Sequence, residues 1–303
     1  MSAKWVDLID PSPDELRAQL PPDIQESAFE LLVAPARHED EPRPTLQAHG
    51  NYIFGIFLVA VAVQAEDRVF YQEVDAVVTR DVLITVSKTP PGEHPYDPRP
   101  ARESCRPDDS GGMMLYRLVD DVAERYLDLV DTLDEEIDQL EDAVETNDPE
   151  VTRNRISELR HDLLHIRRTL APTRDAVRRV VDNVIEVEQG AEVFPHDVEV
   201  AFNAAYDKFL RATDGLDLSR DLLAGVRDYL QAKVSNDQNE VMKTLTVIAS
   251  LLLLPTFIVG LYGQNFQHHF PEIHWRLGYP FSWILIIVTT ALQLWFFRRK
   301  KWI

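Results

Sequence analysis

Two uncharged apolar runs near the C-terminus constrain this chain more than any other feature. Residues 244–262 read TLTVIASLLLLPTFIVGLY, and residues 281–297 read FSWILIIVTTALQLWFF. Runs of about 17–20 such residues match the thickness of a bilayer core. The competing reading is a buried helical hairpin in a soluble core. Such helices carry a polar stripe, and neither run has one wide enough. The flanks agree with a membrane. Lys243 precedes the first run, Arg298, Arg299, Lys300 and Lys301 follow the second, and the connecting segment holds one basic residue, Arg276. The bias of basic residues towards the cytoplasm then predicts both termini inside and the loop outside. Tyr262, Tyr279, Trp283, Trp295 and Trp302 lie near the run ends, where aromatic rings favour the interface.

The first 25 residues are polar and acidic, with no apolar signal core. The expectation is a multi-pass protein of the inner membrane with its N-terminal mass in the cytoplasm. The net charge of -20 over 303 residues argues against a nucleic-acid partner. It suits cations, although acidic surfaces commonly serve solubility alone. A single cysteine, Cys105, excludes an intramolecular disulfide and a cysteine-cluster metal site. There is no glycine-rich loop ending in Gly-Lys-Ser/Thr, and no nucleophile stands at a telling spacing from a base. The chain reads as a non-enzyme with no organic cofactor.

Residues 1–110 read as an α/β domain with a proline-rich linker. Its first 50 residues look like loop and short helix, with Ser12 as a cap, Pro13 at the first helical position and acids behind it. Residues 52–63, 69–78 and 81–86 carry the β-branched and aromatic content of strands. Residues 89–112 hold six prolines and three glycines and read as an irregular crossing. Residues 111–196 read as a hairpin of two long helices. The first places Leu118, Val122, Leu129, Leu133, Ile137, Leu140 and Val144 at threes and fours and is acidic elsewhere. Asp148 and Pro149 open the second, which is rich in arginine, runs to about residue 188 and contains Pro172. Acidic and basic faces set the register of an antiparallel pair, or remain two solvated faces. From residue 197 helical spacing continues without a stop to residue 262. Residues 197–244 are then a stalk and residues 245–303 a membrane hairpin: a first span at 245–263, an outer loop at 264–280, and a second span at 281–298 with a basic tail. A polar helix of roughly 60 residues, about 90 Å long, is unstable alone and needs partners, either the preceding helices or copies of itself; the expectation is a homo-oligomer with these helices bundled on an axis.

Along this helix Asn239, Met242, Thr246, Ala249, Leu253, Thr256 and Gly260 fall on one stripe near heptad spacing. The stripe is smaller and more polar than the rest of the segment. It suits either a pore or close helix packing.

The residues 239–246 (NEVMKTLT), 254–258 (LPTFI), 260–266 (GLYGQNF), 270–275 (FPEIHW) and 278–280 (GYP), with the basic end at 298–303, resemble the CorA-type divalent-cation channels. The first spanning helix of those proteins ends in Gly-Met-Asn. Looser likeness extends to Tyr206-Asp207, Asp228-Tyr229-Leu230 and the opening Trp5-Val6-Asp7-Leu8. The resemblance implies a homopentameric funnel, an α/β cytoplasmic domain on a long-helix stalk above two C-terminal spans. Its partners would be the bilayer, other copies of itself and divalent metal ions, the last as transported cargo. It places Asn239, Leu245, Leu253, Thr256 and Gly260 towards the pore, and Gly263, Gln264 and Asn265 in the outer filter. Mg²⁺ sheds water reluctantly, so Asn265 carboxamides would accept hydrogen bonds from its hydration shell. Leu253 and Leu245 would gate by dewetting.

Three departures stand out. Gln264 replaces the family's methionine and offers a donor and an acceptor. The outer loop carries His268, His269 and His274, which suit Zn²⁺, Co²⁺ or Ni²⁺ better than Mg²⁺, and one acid, Glu272, able to attract cations. Ala204 stands where the family's cytoplasmic sensing site has aspartate. Asp207, Asp214 and Asp221 are the remaining regulatory candidates. The expectation is a channel for Mg²⁺, Co²⁺, Ni²⁺ or Zn²⁺. The alternatives are a Zn²⁺-preferring relative and a non-conducting membrane-anchored sensor or scaffold.

Overall fold

The apolar stretch at 52–63 forms the long central strand of a five-stranded sheet in the computed structural model. That model describes residues 3–36, 41–63, 68–185, 187, 192–264 and 276–303. The strands are β1 (Lys4–Ile9), β2 (Thr45–His49), β3 (Tyr52–Val63), β4 (Arg68–Val78) and β5 (Val82–Lys88). Their spatial order is β1-β5-β4-β3-β2. β1 pairs parallel with β5, and the other neighbours are antiparallel. Two of these strands fall in the first 50 residues, where the sequence predicted loop and short helix. β1 and β2 are short edge strands, and few of their residues are buried, so their alternation is weak. β1 is fixed by side chains: Trp5 Nε1 donates to Thr85 Oγ1 at 2.9 Å, and Thr85 Oγ1 donates to Asp7 at 2.7 Å.

Helices α1 (Pro13–Gln19) and α2 (Glu26–Val33) cover one face of the sheet. Leu16, Phe29 and Leu32 meet Phe54, Ile56, Val77, Ile84 and Val86 there. Ser12 caps α1 as expected, and the Glu15 side chain accepts in return from the Ser12 N–H. On the other face lies α4 (Gly111–Ala143), preceded by a single turn, α3 (Arg99–Glu103), inside the predicted irregular crossing. The start of α4 presses on the sheet, where the Gly111 N–H donates to the Arg80 carbonyl at 2.7 Å. A Cβ at Gly111 would overlap the Thr79 carbonyl oxygen. Tyr126 Oη ties α4 to the sheet, 3.0 Å from the Leu58 carbonyl.

α5 (Pro149–Val181) is capped by Asp148, whose side chain accepts from the Glu150 N–H. It ends seven residues before the predicted 188, after which Asn183 takes a positive φ. Pro172 sits inside it. The pairs Tyr126–Thr169 and Glu136–Arg155 show that α4 and α5 run antiparallel. The acidic face of α4 is not given to α5 alone. Asp120 and Glu124 pair with Lys208 at 2.9 and 2.7 Å, and Asp134 accepts from Ser219 at 2.6 Å. Both partners belong to α6 (His196–Tyr262), a helix of 67 residues. Its buried face reads Val198, Phe202, Ala205, Phe209, Ala212, Leu216, Ser219, Leu223 and Val226, alternating fours and threes. Two units divide the chain, Met1–Arg227 and Asp228–Ile303. The second holds the end of α6 and α7 (Gly278–Arg299). α6 and α7 are the two described helices long and apolar enough to cross a membrane.

Candidate pore face of the helical hairpin

In the second unit, Val247, Ser250, Leu251, Leu254, Pro255, Ile258 and Tyr262 are the buried or half-buried residues of the α6 span. On α7 the corresponding set includes Leu285, Ile286, Thr289, Thr290, Gln293 and Phe297. Gln293 Nε2 donates to the Ser250 carbonyl at 3.2 Å and fixes which face of α6 meets α7.

The stripe Asn239, Met242, Thr246, Ala249, Leu253, Thr256 and Gly260 is exposed at every position. Leu253 is 72% exposed and Met242 59%. At 3.6 residues per turn the stripe lies about 140° around the helix from the α7 contact. A third face, Val241, Ile248, Leu252 and Val259, is also exposed but bulky throughout. The span therefore has three faces: one against α7, one uniformly bulky and apolar, and one smaller and more polar, broken by Met242 and Leu253 and bordered by Phe257. Two stripe threonines turn their hydroxyls back on the helix. Thr246 donates to the Met242 carbonyl and Thr256 to the Leu252 carbonyl, each at 2.7 Å. That satisfies the hydroxyl hydrogen and leaves its lone pairs outward. Leu245 is exposed at the edge between the stripe and the bulky face.

α6 closes with the Gly263 N–H bonded to the Val259 carbonyl at 2.9 Å. Gly263 and Gln264 are exposed beyond it. Asn265, Glu272, His268, His269 and His274 lie outside the described residues. In the first unit Ala204, Asp207, Asp214 and Asp221 are exposed on one face of α6. The aspartates stand seven residues apart, about 10 Å along the axis. Asp221 pairs with Arg220 at 3.3 Å. One chain does not bring them together, and no group of three His, Cys, Asp or Glu side chains among the described residues could hold a metal ion.

Two features escaped the sequence reading. Gln293 is one of them, a single amide within an apolar run. The other is a buried charge cluster on the sheet. Lys88 Nζ lies 2.9 Å from Asp75 Oδ2, bonds Glu73 and donates to the Leu31 carbonyl at 2.8 Å. The alternation of charge in 72–75 (QEVD) resembles a solvent face, and only the packing of α2 over it shows otherwise.

Comparison with known proteins bears on both units. A family profile described as "CorA-like Mg2+ transporter protein" matches residues 2–299. A relative named cobalt/magnesium transport protein CorA, from Thermotoga maritima, is 33% identical over 63% of this chain and 52% of its own length. The next two curated relatives are covered over 58% of theirs, so the chain aligns with little more than half of each of the three. A magnesium transport protein CorA from Wolinella succinogenes is 23% identical over 99% of this chain and 91% of its own. The complete structure of the CorA magnesium transporter from Methanocaldococcus jannaschii superposes with a TM-score of 0.74 at 18% identity, covering 99% of this chain and 91% of that one.

Proposed function

The chain belongs to the CorA family of Mg²⁺ transporters, and we propose that it is a passive channel for hydrated divalent cations. Several copies of α6, five by family resemblance, surround an axis with the 239–260 stripe turned inward. The observation that carries this reading is the unbroken exposure of that stripe on the side away from α7. A helix bound for lipid alone has no use for a face of Asn, Met, Thr, Ala, Leu, Thr and Gly at heptad spacing, smaller and more polar than the face of Val, Ile and Leu beside it.

Each residue then has a role. Gly263, Gln264 and Asn265 form the outer filter, where amides and carbonyls accept hydrogen bonds from the ion's water shell without stripping it. Thr246 and Thr256 hydroxyl lone pairs and the Asn239 amides line the path. Leu253, with Leu245 and Met242, forms the apolar constriction that closes by dewetting. Glu272 and the loop histidines His268, His269 and His274 gather cations outside. Asp207, Asp214 and Asp221 present carboxylates between neighbouring copies, where cytosolic divalent ions would bind weakly. With both termini in the cytoplasm, a potential negative inside favours entry of a divalent ion by about 4.6 kcal/mol per 100 mV. No bond is made or broken in the transported species, so the protein's work is selection and gating.

Gln264, exposed at the end of α6, favours a second reading within the same class, a preference for Zn²⁺. Its side chain brings a donor and an acceptor to a position apolar in the family pattern. Purified protein in liposomes loaded with Mg²⁺- and Zn²⁺-sensitive dyes tests both. Saturable influx of either ion, driven by potential, supports the channel, and competition ranks the ions. An intact oligomer that passes neither ion would replace the channel with a sensor or scaffold.

A further inference from the structure

Pro255 interrupts the hydrogen-bond ladder of α6 inside its span. It has no N–H, so the Leu251 carbonyl loses its partner four residues on, and the ring crowds that carbonyl. In a bilayer core an unsatisfied carbonyl is costly. The carbonyls on either side of it both receive an additional bond. Gln293 Nε2 donates to the Ser250 carbonyl at 3.2 Å, and Thr256 Oγ1 to the Leu252 carbonyl at 2.7 Å. Leu251 and Pro255 are half-buried on the α7 side, so the weakened ladder faces Gln293. The other atom of the amide, Gln293 Oε1, is buried and has no hydrogen-bond partner among the described residues. That buried acceptor costs free energy, so the donor bond beside the proline turn is the contact that places this amide.

We propose that Gln293 is a positioning residue for the pore helix: its amide props the break at Pro255. It thereby sets the angle between the lower part of the span, with Leu245 and Leu253, and the upper part that leads from Thr256 to Gln264. The proposal rests on the reading of α6 as the pore-lining helix only for its effect on transport, not for the prop itself. α7 carries none of the stripe, yet this bond brings it to the carbonyl next to the one that Pro255 leaves without a partner. Helices kink at prolines and where a side chain enters the ladder, and both meet here within one turn. Loss of the bond frees the upper segment to move against the lower one.

The test uses the full chain in lipid vesicles with Gln293→Leu and, should that variant fail to assemble, Gln293→Met. Hydrogen–deuterium exchange is read on peptides covering 250–258, alongside Mg²⁺ flux. Interhelical hydrogen bonds in membranes are modest, so exchange in the single variant rises about threefold, and flux shifts by a similar factor. The same substitution in a Pro255→Ala background, where the ladder is whole, leaves both unchanged. Exchange equal to wild type in Gln293→Leu overturns the proposal. So does an equal acceleration with and without Pro255, which is the mark of lost packing alone. Wild-type vesicles that pass no divalent cation but keep the exchange pattern would sink the channel reading and leave the prop standing. Normal flux without the exchange pattern would do the reverse.

Discussion

The Lys88 ammonium lies 2.9 Å from Asp75 Oδ2 in the interior of the sheet, and it is also bonded to Glu73 and to the Leu31 carbonyl at the end of α2. Asp75 is fully buried and Lys88 and Glu73 nearly so. Two carboxylates therefore share one cation in a region of low dielectric. Both cannot ionise without leaving an uncompensated buried charge. Apart from Lys88, no hydrogen-bond donor among the described residues reaches the Asp75 oxygens. Desolvation, assisted by Glu73 and opposed by Lys88, pushes the Asp75 carboxyl up from 3.8 to about 7.

The folded chain holds the Asp75 proton up to about pH 7, whereas the unfolded chain releases it near 3.8. Its contribution is most favourable at low pH and is lost as pH rises from about 3.8 to about 7. Asp75→Asn keeps the shape and removes the titration. Relative to wild type, the variant gains thermal stability at pH 8 compared with pH 5, by about 2–4 °C for each kcal/mol. Thermal unfolding of the detergent-solubilised protein at the two pH values checks this, and parallel curves would show that Asp75 ionises normally.

Gly111 and Gly112 make equally tight backbone approaches at the start of α4, Gly111 to the Thr79 carbonyl oxygen and Gly112 to that of Val193. A methyl group at Gly111 would overlap the Thr79 carbonyl oxygen and press on the Arg80 carbonyl, while the Gly111 N–H must keep its 2.7 Å bond to the latter. Gly111→Ala should destabilise the first unit by about 1–3 kcal/mol through overpacking. Chemical denaturation followed by the tryptophan signal measures it, Trp5 being the one tryptophan outside the membrane hairpin.

Much of this architecture is legible in the residues, for reasons of length and period. β3 and β5 are rich in β-branched and apolar residues, α4 repeats its apolar residues over 33 positions, and Ser12 and Asp148 announce their helices. Elements that depend on tertiary partners are not legible. β1 and β2 are edges with few buried residues, and β1 needs Thr85, far along the chain, to hold it. The site divides the same way. The stripe from Asn239 to Gly260 is visible because helical geometry alone defines it. Gln293 is invisible, since one amide barely alters the hydropathy of its run and only the fold aims it at Ser250.

The filter assignment leads to paired predictions. If Asn265 carboxamides hold the hydrated ion, Asn265→Ala lowers divalent flux about tenfold or more, equivalent to ~1.4 kcal/mol, with the oligomer intact. Gln264→Met restores an apolar side chain at the neighbouring position and shifts the ion ranking towards Mg²⁺ over Zn²⁺. Competition flux in liposomes reads both. An unchanged ranking would remove Gln264 from selectivity while leaving Asn265 in place.

Leu253 offers the sharpest test of the pore axis. It is the most exposed leucine of the α6 span, at 72%, and it lies mid-stripe between Ala249 and Thr256. Facing lipid, it could become Asn only at a cost in insertion and stability, with no gain in conduction. Facing a narrow axis, it keeps water out when closed, and a polar side chain there would wet the constriction. Leu253→Asn should therefore raise resting Mg²⁺ leak into vesicles severalfold. Leu252→Asn, one residue away on the bulky face, should lower yield or thermal stability and leave leak unchanged. The contrast separates the two faces by function. Equal behaviour of the two variants would mean that the small-residue stripe serves only to pack helices.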